Sequence, residues 1–391
     1  MKIAILGFGT VGSGVYEILK KNGDLIGRRA NEEISIKYIV ELRDFSSHPD
    51  AALFTNNYNT VLDDKEVSVV VEMIGGVNVA YNFTKSAILA GKNVVTSNKA
   101  LVAAHGAELF ALAKENGVHY LYEASVGGGI PIIRPIGNCL AANRIKRVMG
   151  ILNGTTNYIL TKMIEEGRSF DKALSEAQQK GYAEADPSAD IEGHDTCRKI
   201  AILSSLIFGK NVDYTRISTE GINTIEPEDV EYAQALDCSI KLIGMARIGE
   251  DKVFARVSPM LISNDNPLAG VSDVYNAVML TGDSVGDVMF YGSGAGKLPT
   301  ASAVVSDIID LARGIPEASR LEWAAGDGSY VTPMAETKTT VLLRSSVEIE
   351  DATCVDIGLE DEKGYIICNI SEGELASLVK RTTGIKKFIR M

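Results

Sequence analysis

Asp195 and Lys199 stand four residues apart in a helical stretch, so a carboxylate and an ammonium share one helix face. The segment that contains them, "KGYAEADPSADIEGHDTCRK" (Lys180–Lys199), holds five carboxylates, one histidine and three cations. It runs straight into the almost wholly apolar "IAILSSLIFG". An exposed i,i+4 pair would add only about 0.3–0.5 kcal/mol to a helix. Three features argue for chemistry instead. The helix, expected to begin near residues 190–192, continues as a buried one. The residues before it, rich in Gly, Pro and Ala, form a shaped loop. The acids are unevenly spaced, which suits convergence on a point. A protonated amine held beside a carboxylate can stabilise an alkoxide and give it a proton.

The N-terminus supplies a second chemical feature. "KIAILGFGTVGSGVYEILKK" reads as a strand, a glycine turn and an amphipathic helix. In the turn Gly7-Phe8-Gly9-Thr10-Val11-Gly12, the first glycine permits the tight bend and the second lets backbone approach a pyrophosphate. The third allows close helix–strand packing. The helix N-terminus then offers free N–H groups to phosphate. The next strand, "ISIKYIV", ends in Glu41 and Arg43. A carboxylate there suits the ribose of NAD and an arginine suits the extra phosphate of NADP, so both cofactors stay open. Apolar runs alternating with helical patterns predict an α/β fold with a parallel sheet covered on both faces. The runs "VSVVVEMIGG" and "GKNVVTSNKAL" bring Gly75, Ser97 and Lys99 to strand ends, where such sheets bind ligands.

Composition narrows the function. The 391 residues imply at least two domains. A net charge of −12 disfavours nucleic acid as the main partner. Cys139, Cys197, Cys238, Cys354 and Cys368 lack metal-ligand spacing and are odd in number, so they read as reduced thiols of a cytoplasmic protein. No secretory segment or membrane-spanning run is expected.

"GKNVVTSNKALVA", "YEASVGGGIPIIRP", "ILNGTTNYIL", "KGYAEADPSADIEGHDTCRK" and "GSGAGKLPTASAVVSD" occur in this order. With them the chain resembles the homoserine dehydrogenases from Lys2 to about Gly314. It departs at Val79, where the family usually has proline, and in "IGNCLAAN". The resemblance implies reduction of L-aspartate 4-semialdehyde to L-homoserine with NAD(P)H. It implies Lys199 as general acid, with Lys99 as a second lysine at the site. It assigns substrate binding to Glu184 and Asp195, with Asp190, Tyr182, Gly154 and Thr155 completing the pocket. Gly181, Gly294 and Gly296 are expected against the cofactor. Asp195 is expected to raise the pKa of Lys199. His194, although inside the motif, is read as a helix-surface residue.

The resemblance further implies a sodium ion held by Glu123 and the carbonyls of Val126, Gly128 and Ile130. The glycine run alone would equally serve as a hinge. Expected domains are 1–130, closed by 292–320, for the dinucleotide, and 131–291 for catalysis and homodimer formation. Residues 334–391 are expected to form a short ACT-like module with strands and one helix. Because every residue assigned to chemistry precedes the tail, the catalytic unit is expected to fold without it. Two rival readings stand beside this one. An aspartate-semialdehyde dehydrogenase would need a reactive cysteine, for which Cys139 is the candidate. A dinucleotide-sensing regulator would have kept the fold and lost the reaction.

Overall fold

The computed structural model describes residues 1–315 and 321–391. The predicted closing segment 292–320 is therefore described as far as Ile315, and residues 316–320 lie outside the described residues. Near the N-terminus, β1 (Lys2–Leu6), β2 (Ser35–Val40), β3 (Phe54–Thr55), β4 (Val67–Glu72), β5 (Asn93–Thr96) and β6 (Tyr120–Leu121) form one sheet. Its order is β3-β2-β1-β4-β5-β6, with parallel pairings throughout. Ile3 and Ile5 join one core layer and Ala4 and Leu6 the other, all fully buried, as a strand covered on both faces requires. Between the strands run α1 (Thr10–Ala30), α2 (Tyr58–Asp63), α3 (Asn78–Leu89) and α4 (Lys99–Glu115). Strand order reverses between β1 and β4, which opens the ligand crevice of a doubly wound sheet at the strands' carboxyl ends.

After the short α5 (Ile133–Gly137), the second domain begins with β7 (Ile145–Ile151). Helices α6 (Gly154–Glu166), α7 (Phe170–Gln179), α8 (Ser188–Ile191) and α9 (His194–Phe208) follow. Then come β8 (Ser218–Thr219), α10 (Pro227–Ala235), β9 (Cys238–Ile248), β10 (Val253–Ser263), β11 (Tyr275–Gly282) and β12 (Gly286–Ser293). The segments "RIKRVMGILN", "SIKLIGMARIG" and "VFARVSPML" fall on β7, β9 and β10, the centre of a mixed sheet. α9 packs on β7, β9 and β10 through a side that is apolar after its first turn. Ile200, Ala201, Ile202 and Leu203 are buried there, so the helix is anchored in the core while its N-terminus faces the cleft. α9 starts later than expected because Gly193 (φ +82°) breaks the chain between α8 and α9, a conformation a side chain would strain. Helix α11 (Lys297–Arg313) returns to pack on α1 in the first domain's core.

The tail supplies β13 (Lys338–Ser345), β14 (Thr353–Val355), β15 (Lys363–Ser371), α12 (Glu372–Arg381) and β16 (Ile385–Arg390). Ser371 caps α12 in a capping box with Glu374. The tail does not stand apart. β16 pairs with β10, so the catalytic sheet continues as β12-β11-β7-β9-β10-β16-β13-β15-β14. Ion pairs seal this seam. Glu372 accepts from Arg256 at 3.0 Å and, in a fork, from Arg390 at 2.7 and 2.9 Å. Arg344 donates to Glu362, Asp229 and Glu226 at 2.7 Å each. Arg256, Arg344, Arg390, Glu372, Glu362 and Asp229 are all buried.

A short tail cannot build a full core alone, and this one borrows the catalytic sheet of its own chain. The unit expected to fold without the tail thus shares its sheet and its ion pairs with it: Arg256 pairs with Glu372, and Asp229 with Arg344. Glu372→Gln should lower the unfolding free energy by about 3–5 kcal/mol, the scale for breaking a buried pair. Urea denaturation of the full chain measures this. A change under about 1 kcal/mol would mean that the seam's charges are solvated.

Candidate active site

The cofactor crevice is built from backbone. Gly7 adopts φ +89°, and a Cβ on Gly12 would lie 2.0 Å from the Gly7 carbonyl oxygen. Only glycines therefore let α1 start this close to β1. Thr10 and Val11 head the helix, where amides lack intrahelical acceptors. At the end of β2, the Glu41 carboxylate accepts from the Phe8, Leu42 and Arg43 amides and from Arg43 Nη2 at 2.9 Å. Arg43 also donates to the Phe8 carbonyl at 2.9 Å, yet its side chain remains 61% exposed. The Arg43 guanidinium, outweighing burial, holds the Glu41 carboxyl at about 2. Gly75 lies in the loop after β4 and Ser97 in the loop after β5. At the domain junction a Cβ on Gly128 would come within 2.4 Å of the Gly294 carbonyl oxygen, so the "GGG" and "SGAG" runs touch through bare backbone.

Across the crevice lies a row of charges. Lys199 Nζ donates to Asp195 Oδ2 at 2.7 Å and to the Leu152 carbonyl at 2.6 Å. Lys99 Nζ, from the first residue of α4, pairs with Asp195 Oδ1 at 2.5 Å. Asn153, the N-cap of α6, donates through Nδ2 to Asp195 at 2.9 Å and Asp190 at 2.7 Å. Thr155 donates to the Tyr182 carbonyl at 2.7 Å. Asp195 and Lys199 are buried, whereas Lys99 is 41% exposed.

Burial alone would raise the Asp195 carboxyl, but Lys199 and then Lys99 overcome it and hold the group well below the usual carboxylate range. For Lys199 burial dominates. Together with the second ammonium of Lys99 it lowers the pKa, against the pull of Asp195. Asp195 does raise it, as expected, but the depth of the site outweighs that pull and the net shift is downward. Burial and the neighbouring Asp195 raise Asp190.

Lys99, Asp190, Asp195, Lys199, Gly154, Thr155 and Tyr182 are thus brought together from both domains. Glu184 is exposed, and its carboxylate makes no hydrogen bond or ion pair among the described residues. Gly181 (φ +74°) lies in the loop before Tyr182, and Gly296 (φ +117°) precedes α11. His194 is on the surface beside Glu192. Cys139 is exposed. Asn153 and the Leu152 carbonyl were not anticipated. The visible signal was an Asn directly before the helix start "GTTNYIL", a helix-cap pattern.

The proposed cation ligands divide into two kinds. Val126, Gly128 and Ile130 are buried, and their carbonyls accept no hydrogen bond among the described residues, as suits a hard cation. The Glu123 carboxylate instead accepts from the Ile132, Ile133 and Arg134 amides and from Arg134 Nε at 2.7–3.1 Å.

A glycine turn for a dinucleotide, facing a lysine–carboxylate–lysine row, defines an NAD(P)-dependent oxidoreductase acting on a CH–OH group. Comparison with known proteins agrees. The family described as "Homoserine dehydrogenase, NAD binding domain" matches residues 7–123, and "Homoserine dehydrogenase" matches residues 131–309. A homoserine dehydrogenase of Synechocystis sp. is 46% identical over 318 residues, covering 80% of this chain and 73% of that protein. The crystal structure of a homoserine dehydrogenase from Thiobacillus denitrificans superposes with a TM-score of 0.90 at 37% identity, covering 100% of this chain and 97% of that one. A hyperthermophilic archaeal homoserine dehydrogenase in complex with NADPH gives 0.69 at 30% identity, covering 82% and 99%. The chain belongs to the homoserine dehydrogenase family.

Asn153→Ala should release both carboxylates and uncap α6. Thermal unfolding should show a loss of about 0.5–2 kcal/mol for the cap. Steady-state kinetics should show kcat/KM reduced roughly tenfold or more, the scale of one lost hydrogen bond to a charged group. Unchanged kcat/KM would mean that Asn153 caps the helix and nothing more.

Proposed function

We propose that the cleft reduces L-aspartate 4-semialdehyde to L-homoserine, and oxidises L-homoserine in reverse, with Lys199 as the general acid. The Lys99–Asp195–Lys199 row, joining the two domains at the mouth of the dinucleotide crevice, carries this reading. Bound along the glycine turn, NAD(P)H supplies a hydride to the aldehyde carbon. The chain's residues hold and protonate the substrate. As the carbonyl oxygen gains negative charge, the Lys199 ammonium stabilises it and gives it a proton. Asp195 and the Leu152 carbonyl fix that ammonium, and Lys99 screens the buried carboxylate from the cofactor side. Asp190, Asp195 and Glu184 offer negative charge to the substrate ammonium. Gly154, Thr155 and Tyr182 shape the wall around it, and Gly181, Gly294 and Gly296 border the cofactor.

The Glu41 carboxylate is saturated by four donors, while the exposed Arg43 keeps donors to spare. This supports NADP(H) over NAD(H), through the 2′-phosphate. The orphaned carbonyls of Val126, Gly128 and Ile130 support a sodium ion that would stiffen the domain junction. Tyr275, Met289 and Tyr291, large and exposed on β11 and the edge strand β12, support a homodimer. Five free cysteines support a cytoplasmic location. No helix among the described residues is long and apolar enough to cross a membrane.

An NAD(P)H oxidation assay with L-aspartate 4-semialdehyde tests the reaction directly. Lys199→Ala should lower kcat by roughly 10²–10⁴ with cofactor affinity nearly constant. Reduction needs the ammonium and oxidation the free amine. As pH rises through the Lys199 pKa, reduction should therefore fall and oxidation rise, with the changeover below the ordinary lysine range because burial lowers that pKa. Near-normal kcat in the variant would remove Lys199 from the role.

Arg43→Ala should weaken NADP(H) by about 1.5–3 kcal/mol and leave NAD(H) nearly unchanged. Fluorescence titration with each cofactor separates the two. Equal losses would assign Arg43 to the shared part of the dinucleotide.

A further inference from the structure

Glu72, the last residue of β4, is completely buried. Its two oxygens serve two different loops. Oε1 accepts from the Ile74 amide at 2.6 Å, and Oε2 accepts from the Thr96 hydroxyl at 2.6 Å. Thr96 Oγ1 in turn accepts from the Asn98 amide at 2.9 Å. Asn98 closes the ring, donating through Nδ2 to the carbonyls of Ile74 at 3.0 Å and Gly76 at 2.6 Å. Its Oδ1 caps α4 by accepting from the Leu101 amide at 3.0 Å. The members of this clasp alternate along the chain with residues of the cleft. Gly75 lies between Ile74 and Gly76, Ser97 between Thr96 and Asn98, and Lys99 directly after Asn98.

A carboxyl group is a poor filler for this place. Burial pushes Glu72 up to about 7, against the Thr96 and Ile74 donors, and the neighbouring Tyr58 and Tyr120 carry no positive charge to offset it. An apolar side chain would fill the same space without desolvating a charge. What the carboxylate adds is two acceptors at a fixed separation across the β4–β5 strand ends, where Glu72 and Thr96 are register partners.

We propose that Glu72 is a positioning residue for the reaction: its buried carboxylate clasps the loops that carry Gly75, Ser97 and Lys99, and so sets where Lys99 stands against Asp195. This rests on the reading of the cleft given above. Glu72 touches neither substrate nor cofactor and acts through Lys99, so the two residues must be energetically coupled. A residue that only stabilises the fold would add its effect independently.

The test is a double-mutant cycle on the full chain, reading kcat/KM for semialdehyde reduction. Glu72→Leu should lower kcat/KM roughly 10–100-fold, the scale of an ångström-sized misplacement at the site. In the Lys99→Ala background the same change should cost about twofold or less. Glu72→Gln, which keeps an acceptor for Ile74 and can donate to Thr96, should restore most of the activity. Additive losses, or a Gln variant as damaged as the Leu variant, overturn the inference and leave the reading of the cleft intact. Wild-type turnover in Lys99→Ala alone overturns that reading and the inference with it. If Glu72→Leu yields no folded protein, Thr96→Val removes only the bridging hydroxyl, and the cycle is run with it under the same criteria.

Discussion

A single buried carboxylate, Asp195, organises this molecule. A charge at that depth is stable only when opposite charge and hydrogen bonds surround it. Asp195 obtains them from two lysines and an asparagine on three separate elements. Lys199 reaches it from one turn further along α9, Asn153 from the cap of α6, and Lys99 from α4 of the other domain. The requirement therefore couples the domains. The dinucleotide crevice and the Asp195–Lys199 pair face each other because one ion network spans the gap. The same burial that makes Asp195 demanding lowers the Lys199 pKa, so the device that joins the domains also tunes the proposed proton donor.

The surrounding architecture serves this arrangement through rigid elements. α9 is polar for its first turn and apolar afterwards, so its core-facing residues lock the helix while its N-terminal end projects Asp195 and Lys199 into the cleft. The catalytic sheet beneath it is in turn extended by the chain's own tail. Buried arginine–carboxylate pairs of Arg256, Arg390 and Arg344 tie β10 and β16 to α12, and β13 to α10. Such pairs add little net stability over an apolar seam, but removing one partner is costly. They make the tail part of the catalytic domain's fold rather than an appendage.

Much of this was legible in the residues. The parallel first sheet, apart from its two-residue edge strand β3, and the glycine turn follow from periodicity and glycine placement, and the tail's strands and helix were each recognisable. The pairing of Asp195 with Lys199 was readable because helical spacing is local. Glu184 has no partner for its carboxylate among the described residues, so only the family motif, and no contact within the chain, marks it as part of the site. Asn153 was overlooked because its cap signal looked purely structural.

By itself the sequence determined the local elements, the dinucleotide turn, the face shared by Asp195 and Lys199, and the family. These depend on propensity, spacing and motif, all of which operate over a few residues. Only the tertiary structure decided that Lys99 completes the row, that the Lys199 pKa falls, that the Glu123 carboxylate is enclosed by amides, and that the tail joins the catalytic sheet. Each of these depends on burial depth or on contacts between residues far apart in the chain. Local pattern carries neither the dielectric surroundings of a charge nor the distance to a partner brought by another element.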